Sequence, residues 1–307
     1  MARGRGDPGK EARAGEPCAE KVAVRTGGKR VGLTSVCGGP RRQEERMEEV
    51  IFRREGAVEV IILNRPQVLN AFTIGMLQAL ARRFEELEQD DTARAVVVTG
   101  AGKGFCAGAD LTGGGSRSDG HTPMGMRLSA GIYARLVRNM VEMEKPVVGA
   151  INGDAAGAGC NFALACDLLV ASEKARFIQV FVRRGLVADA GGTFFLPRLV
   201  GLARAKEMMF FGEAVDAGKA YEMGMVNRVV PPERLMEEAM ELAQRLAAGP
   251  TRAIGMMKRM LNRSYESDLG TCMDLEATFQ GIAVSTEDVM EGVTSFLEKR
   301  EPHFRGR

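Results

Sequence analysis

The stretch VVVTGAGKGFCAGADL (residues 96–111) runs from a block of valines directly into a turn rich in glycine and alanine. A second stretch, PVVGAINGDAAGAGCNFALACD (146–167), has a similar order of apolar run and small-residue turn, and then continues as a small-residue helix. Short apolar runs without alternation are typical of strands buried on both faces of a parallel sheet. Small residues let the following turns approach another group closely, so both turns are candidate functional sites.

Strands and helices are predicted to alternate outward from these two stretches. Predicted strands cover 58–64, 94–100, 146–154 and 168–172, and predicted helices cover 73–91, 126–144 and 157–167. This alternation is typical of an α/β fold in which helices cover a parallel sheet. After about residue 203 the pattern becomes mostly helical, with glycines and prolines at the predicted helix ends.

The chain is therefore predicted to have three parts. Residues 1–46 are rich in Gly, Arg and Pro and show no helical or strand period, which predicts a disordered basic extension. They contain no apolar segment typical of a secretory signal, and their acidic residues fit a transit peptide poorly. Residues 47–203 form the predicted α/β core, and residues 204–307 form a helical C-terminal region.

Charge and cysteine content argue against several classes of function. Residues 1–46 carry eleven basic and six acidic residues, a net of +5, so the remainder has a net charge of −3 within a total of +2. An acidic body gives no electrostatic footprint for nucleic acid, and no apolar run reaches the ~20 residues of a membrane span. Six cysteines without a CxxC pair and only two histidines predict reduced thiols in a cytoplasmic protein, without a metal site.

Five motifs carry a resemblance to one enzyme superfamily. They are LNRPQVLNAF (63–72), VVVTGAGKGFCAGADL (96–111), INGDAAGAGCNFALACDLLVAS (151–172), GLVADAGGTFFLPRLVG (185–201) and AYEMGMVNRVV (220–230). Their order and spacing make residues 47–307 similar to the crotonase, or enoyl-CoA hydratase/isomerase, superfamily. The resemblance implies an α/β spiral of ββα units with a helical C-terminal trimerisation region. It also implies acyl-CoA thioester substrates, no cofactor besides the coenzyme A of the substrate, and a homotrimer or homohexamer.

The resemblance further implies a set of site residues. The backbone N–H groups of Ala109 and Ala158 would form an oxyanion hole, which stabilises the negative charge that develops on a thioester oxygen when an enolate forms. The surface that contacts coenzyme A would comprise Leu69, Ala71, Ala107, Asp110, Leu111, Lys299 and Phe304.

The hydratases of this superfamily use two glutamates, and both are missing here. Asn161 and Phe181 occupy the corresponding positions, so a paired-glutamate mechanism for activating water is not available. Asp189 matches the acid/base aspartate of dienoyl-CoA isomerases and of 1,2-epoxyphenylacetyl-CoA isomerases, and its surroundings and the C-terminus resemble the latter most. The resemblance thus favours an isomerase that shifts a double bond, or converts the epoxide to an oxepin, through an enolate.

Asp189 and the overall function each leave alternatives open. The carboxyl of Asp189 either caps a helix that starts nearby or shuttles a proton in an apolar pocket that raises its pKa. Hydration or another crotonase reaction, such as hydrolysis, is the alternative to isomerisation, and an RNA-binding relative with a basic arm is a minor one. The segment 124–136 is also a candidate for the wall of the acyl pocket.

Overall fold

A computed structural model describes residues 48–111 and 122–307. The predicted disordered extension, residues 1–46, lies outside the described residues. Within the described ranges, no helix combines the length and the apolar character needed to cross a membrane.

The strands form two sheets. Their bounds are β1 Val50–Glu55, β2 Val58–Leu63, β3 Ala95–Gly100, β4 Gly104–Cys106, β5 Val147–Ile151, β6 Asp154–Ala156, β7 Leu168–Ser172, β8 Arg176–Ile178, β9 Ala214–Asp216 and β10 Arg228–Val230. The larger sheet has the order β1-β2-β3-β5-β7-β10, and the smaller sheet has the order β4-β6-β8-β9. From β2 to β10 the larger sheet is parallel, as predicted, and only the edge pair β1–β2 is antiparallel.

Helices cover both faces of the larger sheet. Their bounds are α1 Ile74–Glu88, α2 Pro123–Glu142, α3 Ala158–Leu164, α4 Gly192–Val200, α5 Leu202–Phe211, α6 Ala217–Glu222, α7 Leu235–Ala248, α8 Thr251–Ser264, α9 Leu269–Ala283 and α10 Glu287–Glu298. Side chains of α1, α2 and α3 share one buried cluster with Val96 and Val98 of β3. Val97 of the same strand points to the other face and packs in the cluster formed by α7. Burial on both faces explains the unbroken valine run of β3.

Three successive strands of the larger sheet continue into the smaller one. β3 is followed by β4, β5 by β6 and β7 by β8, and each pair leads to a helix. This gives three consecutive ββα units, as the resemblance implied. Because β4, β6 and β8 are parallel neighbours, the turns that follow β4 and β6 lie side by side. These are the two small-residue turns identified in the sequence.

Candidate active site

The first turn, after β4, is fixed by a parallel bridge to the chain before α1. The N–H of Phe72 donates to the Gly108 carbonyl at 2.7 Å, and the N–H of Asp110 donates to the Phe72 carbonyl at 2.9 Å. In this parallel bridge Phe72 is bonded to Gly108 and Asp110, the two neighbours of Ala109, and not to Ala109 itself. The N–H of Ala109 therefore points away from Phe72 and is available to a ligand.

The second turn, after β6, brings Ala158 next to the first. Gly157 precedes α3 with a φ of 54°, a left-handed conformation that favours glycine. Ala158 opens α3, and an N–H in the first turn of a helix has no partner within that helix. A methyl group on Gly108 would lie 3.5 Å from the Ala158 nitrogen, and one on Gly159 would lie 2.4 Å from the Cys106 carbonyl oxygen. The structure thus brings the two predicted oxyanion-hole residues together.

Most of the predicted coenzyme A surface meets at one corner beside the first turn. The N–H of Ala107 donates to the Leu69 carbonyl at 2.9 Å. The Arg65 guanidinium joins the corner, because it pairs with the Asp110 carboxylate at 2.8 Å and donates to the Ala71 carbonyl at 2.7 Å. The predicted residues at this corner are Leu69, Ala71, Ala107, Asp110 and Leu111.

Lys299 and Phe304, the other two residues of the predicted coenzyme A surface, lie away from this corner in the folded structure. The Phe304 carbonyl accepts a hydrogen bond of 3.1 Å from Arg94, which immediately precedes β3. This is the amino end of β3, whereas both candidate turns lie beyond the carboxyl ends of the strands. Lys299 follows α10, and the sequence alone did not reveal that this region folds against the opposite end of the sheet. Within one chain, the structure does not bring these two residues to the predicted site.

The carboxyl of Asp189 lies in the segment before α4, in an environment that favours its protonated form. The hypothesis that Asp189 caps this helix is wrong, because α4 begins at Gly192 and its N-cap residue is Gly191. Among the described residues, Asp189 Oδ1 is buried and has no hydrogen-bond partner. Burial raises the pKa of Asp189 from an ordinary 3.8 to about 6, because removal from water disfavours the ionised carboxylate. A carboxyl with such a pKa suits proton transfer near neutral pH.

The two positions where hydratases have glutamates hold groups of different chemistry. Asn161 is fully buried, and its side-chain amide donates to the Asp189 backbone carbonyl at 2.8 Å. The Asn161 side-chain oxygen accepts a hydrogen bond of 2.8 Å from Gln179, which is also fully buried. A methyl group on Gly157 would lie 3.7 Å from Cζ of Phe181, so an apolar ring flanks the second turn. The site around Asp189 consequently lacks the paired glutamates of a hydratase.

Tyr133 of α2 is a site residue that the sequence analysis missed. Its side chain is only 5% exposed, and its ring lies edge-on to Phe72, 6.1 Å between centroids. Burial raises the pKa of Tyr133 above its ordinary range, and the nearby Asp189 and Cys106 raise it further. Tyr133 is therefore a neutral phenol that contacts Phe72 and lies close enough to Asp189 to feel its charge. The segment 124–136 was predicted to approach the acyl pocket, but no pattern marked this tyrosine.

Comparisons with known proteins identify the family to which this chain is similar. Residues 53–307 match the family model described as enoyl-CoA hydratase/isomerase. The chain is 41% identical over 262 residues to the 1,2-epoxyphenylacetyl-CoA isomerase of Escherichia coli (strain K12), covering 85% of this chain and 100% of that protein. It is 38% identical to the short-chain-enoyl-CoA hydratase of Clostridium acetobutylicum, covering 83% and 97%. The enoyl-CoA hydratase structure from Bacillus anthracis has a TM-score of 0.80 at 31% identity, covering 85% and 100%.

Proposed function

The chain belongs to the enoyl-CoA hydratase/isomerase family, and from this membership we propose that it is an acyl-CoA isomerase in which Asp189 transfers the proton. The proposal depends on one observation above all. The partly buried carboxyl of Asp189 has a pKa of about 6, while Asn161 and Phe181 stand at the two glutamate positions of the hydratases. One carboxyl can move a proton between two carbons, whereas the paired-glutamate route to hydration needs both missing groups.

The proposed reaction has two proton transfers. The Asp189 carboxylate removes a proton from the carbon next to the thioester carbonyl, and the electron pair moves onto the carbonyl oxygen as a dienolate forms. The N–H groups of Ala109 and Ala158 would bind that oxygen, and loss of one such donor typically costs about 2.7–4 kcal/mol of transition-state stabilisation. The protonated Asp189 then returns the proton to the far carbon of the former double bond, which moves into conjugation.

Two acyl groups are consistent with this chemistry. The first is a 3-enoyl-CoA, whose double bond shifts towards the thioester. The second is 1,2-epoxyphenylacetyl-CoA, the compound named in a relative that shares 41% of its residues with this chain. Conversion of that epoxide to an oxepin would place the enzyme in phenylacetate breakdown. Neither reaction calls for a cofactor besides the coenzyme A of the substrate.

The proposed enzyme is a homotrimer or homohexamer located in the cytoplasm. Large apolar side chains are exposed on the C-terminal helices of the single chain: Leu269, Met273, Ile282, Met290, Val293, Phe296 and Leu297. Such an exposed set is typical of an interface, and the resemblance assigns trimerisation to this region. The free, mostly buried cysteines of the described residues fit a reducing compartment.

The test compares the wild type with Asp189→Asn on a cis-3-enoyl-CoA, following the ultraviolet absorbance of the conjugated product. We expect the wild type to isomerise the substrate and the variant to lose about 10²-fold or more of kcat, the size typical of a general acid/base. Equal activity of both proteins would refute the assignment of Asp189.

Hydration remains the second candidate because a relative at 38% identity is named as a short-chain-enoyl-CoA hydratase. Incubation with crotonoyl-CoA in parallel distinguishes the two reactions, since hydration removes the conjugated absorbance that isomerisation creates. If the wild type hydrates crotonoyl-CoA and leaves the 3-enoyl-CoA unchanged, the chain is a hydratase.

A further inference from the structure

A directed series of hydrogen bonds ends on the peptide of Asp189. Gln179 Nε2 donates to Asn161 Oδ1 at 2.8 Å, and Asn161 Nδ2 donates to the Asp189 carbonyl oxygen at 2.8 Å. Gln179 and Asn161 are both fully buried. Buried polar groups are costly unless they are hydrogen-bonded, so this series fixes both side chains.

The orientation of the Asn161 amide follows from its partners. The Asp189 carbonyl can only accept, so the NH₂ group of Asn161 must face it. The Asn161 oxygen then faces Gln179, whose NH₂ group is the donor. The oxygen of Gln179, Oε1, is buried and has no partner among the described residues. The glutamine is thus held through its NH₂ group, which donates to Asn161 at 2.8 Å and to the Cys160 sulfur at 3.5 Å.

The segment that receives this hydrogen bond has an unusual backbone. Ala190 has a φ of 47° and Gly191 a φ of 80°, so two successive residues are left-handed. Residues other than glycine rarely adopt this conformation, and it persists only where surrounding contacts impose it. The Asp189 carbonyl accepts a second hydrogen bond of 3.0 Å from the N–H of Gly192. Asn161 therefore ties α3, which carries Ala158, to the turn that aims the Asp189 carboxyl.

Helices α3 and α4 pack closely where Asn161 meets Gly192. A methyl group on Gly192 would lie 2.3–2.6 Å from all three terminal atoms of the Asn161 side chain. Real side chains essentially never show contacts below 3.0 Å, so the Asn161 amide lies directly against the backbone of Gly192. Packing and hydrogen bonds therefore both hold the Asn161 amide at this position.

We infer that Asn161, anchored by Gln179, is a positioning residue that holds the peptide of Asp189 and thereby aims its carboxyl between the two oxyanion-hole turns. The inference rests on the proposed function, in which Asp189 transfers the proton. The residue at the position of a hydratase glutamate would thus serve the isomerase indirectly. It would act through the backbone of another residue, without touching the substrate.

Asn161→Asp is the decisive variant because it keeps the shape and makes donation depend on pH. At low pH the buried carboxyl introduced by this substitution is protonated, and its O–H donates to the Asp189 carbonyl. At higher pH the introduced carboxyl ionises and loses the proton that it donated. Its negative charge then lies next to the Asp189 carbonyl oxygen and near the Asp189 carboxyl. Other titratable groups here stay neutral: burial raises the pKa of Cys160, next to Gln179, to about 12, and that of Cys106 to about 12. The pKa of Tyr133 is raised above its ordinary value of 10.

The experiment measures kcat and KM on a cis-3-enoyl-CoA from about pH 5.5 to pH 9. We expect the ratio of kcat, Asn161→Asp to wild type, to fall by about 10-fold or more as pH rises, because a misplacement of about 1 Å can cost ~10²-fold. KM should stay constant, because the coenzyme A corner is built by other residues. A ratio that does not change with pH, even if low, would show that Asn161 only fills space and would overturn the inference.

Three companion variants complete the test. Gln179→Met keeps the length of the side chain and removes the donor, so kcat should fall at unchanged KM. If Asn161→Asp fails to fold, the Gln179→Met variant decides the question. An unchanged kcat of Gln179→Met would overturn the inference. Asn262→Asp is the matched control: it removes an amide that donates to the Val141 carbonyl at 3.3 Å, far from the site, and should keep kcat. Asp189→Asn separates the two proposals. If it is fully active, the proposed function fails; if it is inactive while Asn161→Asp gives a flat ratio, only the positioning role fails.

Discussion

Replacement of Asp189 by asparagine should make the protein more stable while it removes activity. Burial raises the pKa of this carboxyl from 3.8 to about 6, so the folded state holds the ionised form at a cost that the unfolded chain does not have. At about 1.4 kcal/mol per pH unit, the full cost is roughly 3 kcal/mol. Asparagine has nearly the same shape and no charge, so the variant avoids this cost.

The sign and the pH range follow from the raised pKa. Below pH 3.8 the carboxyl is protonated in both states, and the two proteins should have nearly equal free energies of unfolding. As pH rises through 3.8 to 6, the unfolded chain ionises first and the wild type loses stability relative to the variant. The expected advantage of Asp189→Asn is about 1 kcal/mol at pH 4.5 and about 3 kcal/mol at pH 8.

Urea unfolding at equal protein concentration and at several pH values measures this difference. Asp90→Asn is a control of opposite sign, because hydrogen bonds from Thr92 and the ion pair with Arg54 lower the pKa of Asp90. That variant should lose stability at neutral pH. If the difference between wild type and Asp189→Asn were constant from pH 4.5 to 8, the carboxyl would not be desolvated, and the reasoning would be refuted.

Three further substitutions and one control test the surroundings of the site. Gly108→Ala places a methyl group 2.8 Å from the Ala156 carbonyl oxygen at the end of β6, so kcat should fall about 10²-fold. Its control is Gly56→Ala, with a φ of +61° and open space, which should keep activity and lose only about 1 kcal/mol of stability. Arg65→Met removes the 2.8 Å ion pair to Asp110, and urea unfolding should show a loss of about 1–3 kcal/mol. Asn161→Glu overfills the contact with α4, so it should lose about 1–3 kcal/mol and gain no crotonoyl-CoA hydration.

The sheet was predictable wherever a strand is long enough to show a pattern. The valine run of β3, the apolar run of β5 and the helical period of α1 all correspond to the elements observed. The strands β4, β6 and β8 have three residues each and contain glycine, alanine or charged residues, so their sequences show no period. Their pairing arises from long-range packing, which explains why the sequence shows the turns but not the small sheet.

Site residues that lie in sequence motifs were predictable, and those placed by tertiary contacts were not. Ala109, Ala158 and Asp189 lie in motifs with a recognisable local order, and the structure places Gly108, the neighbour of Ala109, close to the Ala158 nitrogen. Tyr133 and Gln179 lie in segments without such a motif, and each reaches the site only through tertiary contacts. The position of Phe304 at the amino end of β3 could not be predicted from the sequence either, because it involves a hydrogen bond from Arg94, 210 residues away.

The contrast between Asn161 and a glutamate shows how one scaffold can exchange reactions. A glutamate here would bring a second acid but would lose the donor that meets the Asp189 carbonyl, and its extra methylene would need room where the Asn161 amide already lies against Gly192. Asp189 would then lose its tie to α3, and two carboxyls close together would disfavour joint ionisation. A paired-acid site and a single, aimed aspartate are therefore physically competing solutions at this position. Replacement of Asn161 by a glutamate is expected to destroy the single-aspartate site without restoring a paired-acid site.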